Sequence, residues 1–304
     1  MEEQIKDGGK NYAVSASIVI AVMVLALTWI YATGLGNKDF VGQTALLSKI
    51  DSERNLENSV LPKEGVVLPV VWGDLGKQMI DQGVIDREKF ESLYKNRGGM
   101  TAEESQLLYG NSDEKLMMNA ENSGFLLNLF WGLGLGNKND ILENGPMSDP
   151  RYGGAGRFAS TGGWVVASGD VMEHYSKHSL VTLTAEQQKI VERISKGIYR
   201  PCCGNSTYFP DCNHGMAMLG LLELMAAQGV SEEDMYKVAF RVNSYWFPDT
   251  YLTIAKYFEN KGIKWNEVDP KVALGADFSS ASGYQRVLRE TEPIQLNSGG
   301  GCGL

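Results

Sequence analysis

The chain has 304 residues, 43% of them hydrophobic and 21% charged, which is an ordinary globular composition for one large domain or two modest ones. Its 28 basic and 37 acidic residues give a net charge of -9, and no Lys/Arg run reaches three, which excludes the electrostatic footprint of a nucleic-acid-binding protein. Four cysteines are too few for a disulfide scaffold, so any role they have is local.

The N-terminal region carries a long apolar segment. After a short tail, residues 1–12, the segment 13–33 reads "AVSASIVIAVMVLALTWIYAT". As a helix rising about 1.5 Å per residue it would span the roughly 30 Å hydrocarbon core of a bilayer. We therefore predict a single-pass transmembrane helix that contacts lipid. A cleaved signal peptide is the competing interpretation, but the apolar run is long and the leader is mixed in charge.

The orientation of this predicted helix is set weakly by charge, because lysines flank it on both sides. A short tail inside and a translocated domain outside is the commoner arrangement, so we expect an extracytoplasmic domain. The rest of the chain is predicted as a linker, a mostly helical globular domain and a flexible glycine-rich tail, at residues 34–65, 66–292 and 293–304.

Helix signals recur through the globular part. Three pairs have the spacing of a capping box: Thr101 with Glu104, Asp170 with Glu173, and Thr184 with Gln187. Apolar periodicity predicts helices at 75–82, 86–97, 101–109, 122–133, 171–179, 185–196, 214–228, 232–247, 250–261 and 282–290. Only "GVVLPVVW" (65–72) and "GGWVVAS" (162–168) read as extended. The predicted fold class is mostly α, with a small β element.

Cysteine and histidine gather in one interval. His174 and His178 are spaced to project from one face of the predicted helix 171–179, as two ligands of one ion would. The stretch "RPCCGNSTYFPDCNHGMAM" adds further candidate ligands: Cys202, Cys203, Cys212 and His214. They lie in a predicted loop that runs into a helix N-terminus, where the helix dipole favours the thiolate form of cysteine. We expect the two segments to meet in one site for a transition metal, copper or zinc by ligand softness.

Several other residues are accessory candidates for this site. Met216 and Met218 supply thioethers that suit Cu(I), although methionines at helical spacing are more often core filler. Glu173 lies next to the histidine pair. Cys302 follows three glycines in "NSGGGCGL", so it could return as a ligand, a resolving thiol or a disulfide partner, or be an incidental thiol at a frayed terminus.

Two alternative hypotheses compete with a metal or thiol-redox centre. In the first, the cysteines are all in disulfides, for example a Cys203–Cys212 bond that staples the loop, the histidines are incidental, and the chain is a non-catalytic binding or structural ectodomain. In the second, the chain is a metal-dependent hydrolase whose substrate loop is the glycine-rich segment "RYGGAGRFASTGGW", with Arg151, Arg157, Ser160 and Thr161 as candidate contacts. A plain connecting loop fits that segment equally well.

Three stretches carry a resemblance: "GIYRPCCGNSTYFPDCNHGMAMLGLLELMA", "NLFWGLGLGNKNDILENGPM" and the "GGGCGL" end. They resemble an uncharacterised group of bacterial membrane-anchored proteins, over most of the chain after the anchor. The resemblance implies no activity. The sequence thus predicts a membrane-anchored protein whose helical domain carries a Cys/His metal or thiol-redox centre, and it assigns no reaction.

Overall fold

The computed structural model describes residues 22–26, 28–29, 31 and 35–296, with the backbone alone for 35–46. The chain divides into two units, Met1–Asn55 and Leu56–Leu304. Most of the predicted transmembrane segment 13–33 lies outside the described residues; those of its residues that are described are helical and exposed. Within the described ranges no helix has the length and apolar character needed to cross a membrane.

The described part of the chain is mostly helical, which confirms the predicted fold class. Its helices are α1 (Leu35–Val60), α2 (Leu75–Asp81), α3 (Arg87–Lys95), α4 (Ala102–Tyr109), α5 (Ser123–Gly136), α6 (Asp140–Asn144), α7 (Ala159–Gly162), α8 (Ala185–Ser195), α9 (Asn213–Ala227), α10 (Glu232–Trp246), α11 (Pro248–Asn260), α12 (Pro270–Leu274), α13 (Ala276–Ser279) and α14 (Ala281–Glu290). Its strands are β1 (Val66–Gly73) and β2 (Ser112–Met118). Every helix predicted in the globular part except 171–179 is observed within a few residues of its predicted bounds.

Side-chain caps fix where several helices begin. Thr101 Oγ1 accepts from the backbone N–H of Glu104 at 3.1 Å, and the Glu104 carboxylate accepts from the N–H of Thr101. Thr184 and Gln187 form the same reciprocal pair at the start of α8. Both capping boxes are therefore confirmed, and each such cap is worth about 1 kcal/mol.

The predicted helix 171–179 is wrong. Asp170 accepts from the N–H of Met172, but only a 3-10 turn, Val171–Glu173, follows. Ser176 adopts a left-handed φ of 54°, which no helix continues through. The chain is instead held by helix α5, because the N–H of His178 donates to the carbonyl of Gly136 at 2.9 Å.

Helices α5 and α9 form the centre of the second unit. Nearly every residue of both is buried, as expected of helices that are apolar on all sides. Gly134 and Gly220 lie at their contact, where an added Cβ would overlap the carbonyl oxygens of Met216 and Phe130 respectively. Glycine thus allows the two backbones to approach closely. The amphipathic helices α8 and α10 pack against this pair, α11 packs against α10, and α14 packs against α11.

The second unit begins at Leu56, inside the segment 34–65 that was predicted as a linker. Leu56 and Val60 on the last turns of α1 are buried in its hydrophobic core. The guanidinium of Arg241 donates to the carbonyl of Ser59 at 2.8 Å, which satisfies one of the carbonyls at the end of α1. The chain is thus part of the domain before β1 begins.

The strands β1 and β2 form an antiparallel two-stranded sheet. The strand predicted at 65–72 is confirmed as β1, but the extended segment predicted at 162–168 is wrong, since Gly162 ends α7 and turns follow. The outer edge of β1 is covered at one residue by a side chain: Val71 N–H donates to Gln228 Oε1 at 2.8 Å, and Gln228 Nε2 donates back to the Val71 carbonyl at 2.7 Å.

Candidate metal centre

The cysteine loop runs from Arg200 to Cys212, where helix α9 starts. Its base is closed by two residues, since the N–H and the hydroxyl of Thr207 both donate to the carbonyl of Ile198. Its outer part is held by α14, because the N–H of Ala281 donates to the carbonyl of Cys203 at 2.9 Å. Cys212 is the N-cap residue of α9. The loop that bears the thiols is thus tied at its base, to α14 and at the start of α9.

Three sulfur atoms meet in this loop. The Sγ of Cys212 lies 3.5 Å from that of Cys202 and 4.0 Å from that of Cys203, and all three lie within 4.8 Å of one another. Cys202 is exposed, whereas Cys203 and Cys212 are half-buried. No disulfide bond joins any of the three cysteines that the structure describes.

A buried guanidinium lies under the thiols. Arg200 is only 1% exposed, and its Nε donates to the Sγ of Cys212 at 3.1 Å. Its other nitrogens donate to the carbonyls of Asn205 and Phe209, each at 2.9 Å, and to the carboxylate of Asp211 at 2.5 Å. Every branch of the side chain is thereby paired, as a buried charge requires.

The Sγ of Cys212 is surrounded by donors. Besides Arg200, the backbone N–H of Gly215 in the first turn of α9 donates to it at 3.4 Å. Hydrogen bonds from Cys202 and Cys203, with further contributions from His214 and Arg200, hold the pKa of Cys212 well below the ordinary thiol value, against the opposing effect of burial. The site therefore favours Cys212 as a thiolate, the form that binds metals and attacks disulfides.

Cys203 behaves oppositely. Its hydrogen bond with Cys202 lowers its pKa, but the bond to Cys212 and burial outweigh this and raise the pKa of Cys203 to about 11. The two pKa shifts therefore favour a negative charge on Cys212 rather than on Cys203, and hydrogen bonds from the neighbouring thiols stabilise it. A metal ion bound by Cys203 would have to displace the proton of that thiol.

The three sulfurs have the separations that one metal ion needs. An ion about 2.3 Å from three coplanar sulfurs holds them roughly 4.0 Å apart. One observed separation, 4.0 Å, equals this value and the other, 3.5 Å, is shorter by about half an ångström, so a metal could be bound with small side-chain rotations. In the part of the chain that the structure describes, this is the one group of three or more Cys, His, Asp or Glu ligand atoms that close together.

His214 lies beside the thiols but outside their ligand group. Its ring is buried, with its centroid 4.4 Å from that of Phe247, and its side chain hydrogen-bonds Cys212, which helps to lower the pKa of that thiol. It therefore acts here as a donor to a candidate ligand, the role that groups around metal ligands often have.

His174 and His178 pair with each other away from the thiols. His174 Nε2 lies 2.7 Å from the carbonyl of Ser168, and His174 Nδ1 lies 3.0 Å from His178 Nε2. Because a carbonyl only accepts, His174 Nε2 carries a proton, and Nδ1 accepts from His178 when both rings are neutral. Burial, with the charge of His174, lowers the pKa of His178. The two rings thus form a hydrogen-bonded pair.

The expected meeting of the histidine pair with the cysteine loop is absent from the described residues. The reason is backbone pairing. His178 lies in a bridge with Asn137 at the C-terminal end of α5, whereas the thiols lie at the N-terminus of α9. The two rings are in contact, as their spacing of four residues predicted, but a turn rather than a helix brings them together.

The accessory candidates have separate surroundings. Met216 and Met218 are buried in the hydrophobic core, as core-filling methionines are. Glu173 is exposed. Cys302 lies outside the described residues, and its role stays a prediction.

The glycine-rich segment 151–164 packs on the cysteine loop, since the N–H of Ser160 donates to the carbonyl of Asp211 at 3.1 Å and the ring of Phe158 contacts that of Phe209. None of its candidate side chains belongs to the group of three thiols. The Arg151 guanidinium binds Asp149 two residues away, and Arg157 is exposed. Ser160 and Thr161 are fully buried in α7, and within the described structure their hydroxyls have no hydrogen-bond partner. The use of this segment as a substrate loop stays a prediction.

Arg200, Asp211 and Asn205 are not among the site residues predicted from the sequence. Asn205 Nδ2 donates to the second carboxylate oxygen of Asp211 at 2.7 Å, so the three side chains form one connected network. A signal for it exists: Arg200 and Asp211 are the only Lys, Arg, Asp or Glu residues between Lys196 and Glu223. Two isolated opposite charges in a neutral, apolar stretch are typical of a buried pair.

No protein-family model, curated protein or solved structure matches the chain. The resemblance to bacterial membrane-anchored proteins therefore stays a prediction, and the site has to be interpreted from its own chemistry.

Proposed function

We propose that this chain binds one thiophilic transition-metal ion, Cu(I) or Zn(II), on Cys202, Cys203 and Cys212. The observation that carries the proposal is the set of three Sγ atoms within 4.8 Å of one another. Thiolate sulfur binds these two ions in preference to harder metals such as Mg²⁺. The proposed role is to hold or hand on this ion, and no reaction is assigned to it.

The surroundings of the thiols support a resident or transferable ion. The loop is tied by backbone hydrogen bonds at its base and to α14, so little ordering is needed on binding. Hydrogen bonds from Cys202 and Cys203 lower the pKa of Cys212, which favours its thiolate and so reduces the competition between protons and metal. Cys202 is exposed, which gives an ion a route to and from solvent.

The test is a metal titration of the full, reduced chain under anaerobic conditions. Cu(I), Zn(II) and the spectroscopic probe Co(II) would each be added against a chromophoric chelator. We expect one ion per chain and, with Co(II), the intense near-ultraviolet absorption of thiolate coordination. Cys212→Ser should abolish tight binding, and Cys203→Ser and Cys202→Ser should each weaken it by at least roughly tenfold, as expected when one of three ligands is lost.

The matched control is the double variant His174→Ala/His178→Ala, which removes the other predicted ligands without touching the thiols. It should bind the same number of ions as the unaltered chain. Binding that persists in all three cysteine variants but is lost in the histidine variant would overturn the proposal.

A second candidate function, thiol redox exchange, is favoured by one observation: the Sγ atoms of exposed Cys202 and low-pKa Cys212 lie 3.5 Å apart. In such a cycle the two thiols form one S–S bond, and their two electrons and two protons pass to a partner disulfide, which becomes two thiols. Cys203 would remain outside the bond.

Equilibration with graded ratios of reduced and oxidised glutathione tests this second candidate. The expected product is an internal disulfide, with a mass two hydrogens lower, that forms in Cys203→Ser but not in Cys202→Ser. Formation only of mixed glutathione disulfides would exclude the redox cycle and leave the metal proposal untouched.

We also propose that residues 13–33 anchor the chain in a bilayer with the helical domain outside the cytoplasm. The support is the uncharged apolar run with aromatic residues near its ends. Full-length chain should stay with membranes after an alkaline carbonate wash, and a variant lacking residues 1–33 should not. Protease added to intact cells with a permeabilised outer envelope would report the side: protection of the domain would contradict the proposed orientation.

A further inference from the structure

We propose that Arg200 is the residue that sets metal specificity at the three thiols, making the site select a monovalent ion, Cu(I), over a divalent one, Zn(II). This inference rests on the proposed metal-binding function. Arg200 contacts a candidate ligand and not the ion, so it would act through charge.

The guanidinium of Arg200 has a fixed position beside the thiols. The Arg200 guanidinium is 1% exposed and its Nε is 3.1 Å from the Sγ of Cys212, so a fixed positive charge lies within a few ångströms of any ion bound by that sulfur. Gly215 lets it come so close: a Cβ there would lie 2.5 Å from the Arg200 Cζ. The position of the charge is thus built into the start of α9.

Two other charged or polar features lie near the guanidinium, the carboxylate of Asp211 and the N-terminus of α9. Asp211 neutralises part of the guanidinium, but its carboxylate is itself held by Arg200 and Asn205 and is partly exposed to solvent. The N-terminus of α9 adds positive potential through N–H groups such as that of Gly215. Besides the thiols, the immediate surroundings of the sulfur of Cys212 therefore favour low positive charge on the ion.

The arginine acts differently on the two ions. Cu(I) and Zn(II) both have filled d shells and both bind thiolate; they differ in preferred coordination number and by one unit of charge, and it is the charge difference that the arginine acts on. Repulsion between that extra charge and a guanidinium about 5 Å away is not fully screened in a half-buried site. The arginine therefore costs Zn(II) more than it costs Cu(I).

The readout is the ratio of the two affinities, measured on the full reduced chain. Both ions displace thiol protons, so a general change in the thiols or the fold shifts both affinities in the same direction and affects their ratio less than either affinity. Comparison of Arg200→Lys with Arg200→Gln then separates an effect of charge from an effect of side-chain shape. Ag(I) and Cd(II) form a second filled-shell pair that repeats the comparison without redox chemistry.

Four variants bracket the arginine. Arg200→Gln keeps a hydrogen-bond donor but loses the charge, and we expect the ratio of Cu(I) to Zn(II) affinity to fall roughly tenfold or more. Arg200→Lys keeps the charge and should largely keep the ratio. Asp211→Asn removes the partial neutralisation and should raise it. Arg241→Gln is the matched control, since that half-buried guanidinium donates to the carbonyl of Ser59 instead of a sulfur.

If Arg200→Gln does not fold, Gly215→Ala provides the same test by displacing the guanidinium from the sulfur, and the ratio should again fall. An unchanged ratio in a folded Arg200→Gln or Gly215→Ala variant that still binds metal overturns this inference and leaves the proposed function intact. Failure of the unaltered chain to bind either ion overturns the proposed function itself.

Discussion

The two ends of helix α9 solve the problem of a buried ionisable group in different ways. At its N-terminus, buried Arg200 is matched by the carboxylate of Asp211 and the sulfur of Cys212. In its C-terminal half, Glu223 is fully buried among neutral partners: Asn137 Nδ2 donates to it at 3.0 Å, and the Asn139 amide also donates to it.

The difference lies in how the charge is treated. Arginine cannot give up its proton, so the fold has to supply counter-charges and carbonyls. A carboxyl can become neutral, and burial raises the pKa of Glu223 well above its ordinary value despite the bonds from Asn137 and Asn139. One end of the helix therefore holds a permanent charge, and the other holds a carboxyl whose charge depends on pH.

The largest effect is expected from Arg200→Leu. It leaves Asp211 without its cation and two loop carbonyls without donors, so we expect a loss of about 3–5 kcal/mol in the free energy of unfolding. Urea denaturation of the reduced chain measures it. A loss below roughly 1 kcal/mol would mean that solvent replaces the guanidinium easily and would remove the contrast between the two helix ends.

Glu223→Gln should alter the pH dependence of stability. The folded pKa of Glu223 is raised, so the unaltered chain loses stability as pH rises from the unfolded value of 4.5 through the folded pKa. The variant should lack this decline, and near pH 5 it should be less stable by about 1–3 kcal/mol, because its amide N–H faces a donating asparagine.

Urea midpoints between pH 5 and pH 9 test this prediction, with exposed Glu173→Gln as the matched control. A parallel decline in both Glu223→Gln and the unaltered chain would show that the buried carboxyl is not its source.

Gly215→Ala should cost about 1–3 kcal/mol because the new methyl overlaps the Arg200 guanidinium. Alanine is otherwise favoured over glycine inside a helix, so any loss reports this contact. Gly204→Ala, with open space around the glycine, is the matched control and should change thermal stability little. Equal effects at the two positions would argue against a tightly placed arginine.

Asn205→Ala gives the smallest expected change. It removes one half-exposed hydrogen bond to Asp211, worth about 0.5–1.5 kcal/mol. The same denaturation assay measures it, and a loss as large as that of Arg200→Leu would show that the network depends on the asparagine rather than on the charge pair.

Local sequence signals predicted the helices well because their information lies within a few residues. Thr101 and Glu104 determine a helix start by themselves, and so do Thr184 and Gln187. The same logic failed at Asp170, where the backbone of His178 pairs with α5, a contact distant in sequence. Strand β2 was missed for a related reason: "SDEKLMM" is too polar to read as a strand, and only pairing with β1 makes it one.

In the candidate site, too, local features could be predicted from the sequence and contacts between distant segments could not. The clustering of Cys202, Cys203 and Cys212 could be predicted because a thirteen-residue loop, 200–212, brings them together almost unaided. The expected contribution of the histidine pair required two distant segments to meet, and spacing alone contains no such information. The role of Arg200 was missed because a basic residue reads as surface unless its counter-charge is found with it.

The amide of Gln228 has a consequence for behaviour at high concentration. By donating to and accepting from Val71, it occupies the hydrogen-bonding positions of one residue that a strand from another molecule would otherwise use. β1 is rich in valine, and the exposed side chain of Val67 would favour association of this strand with a strand of another molecule. One glutamine at the end of the central helix thus works against edge-to-edge aggregation of a small sheet.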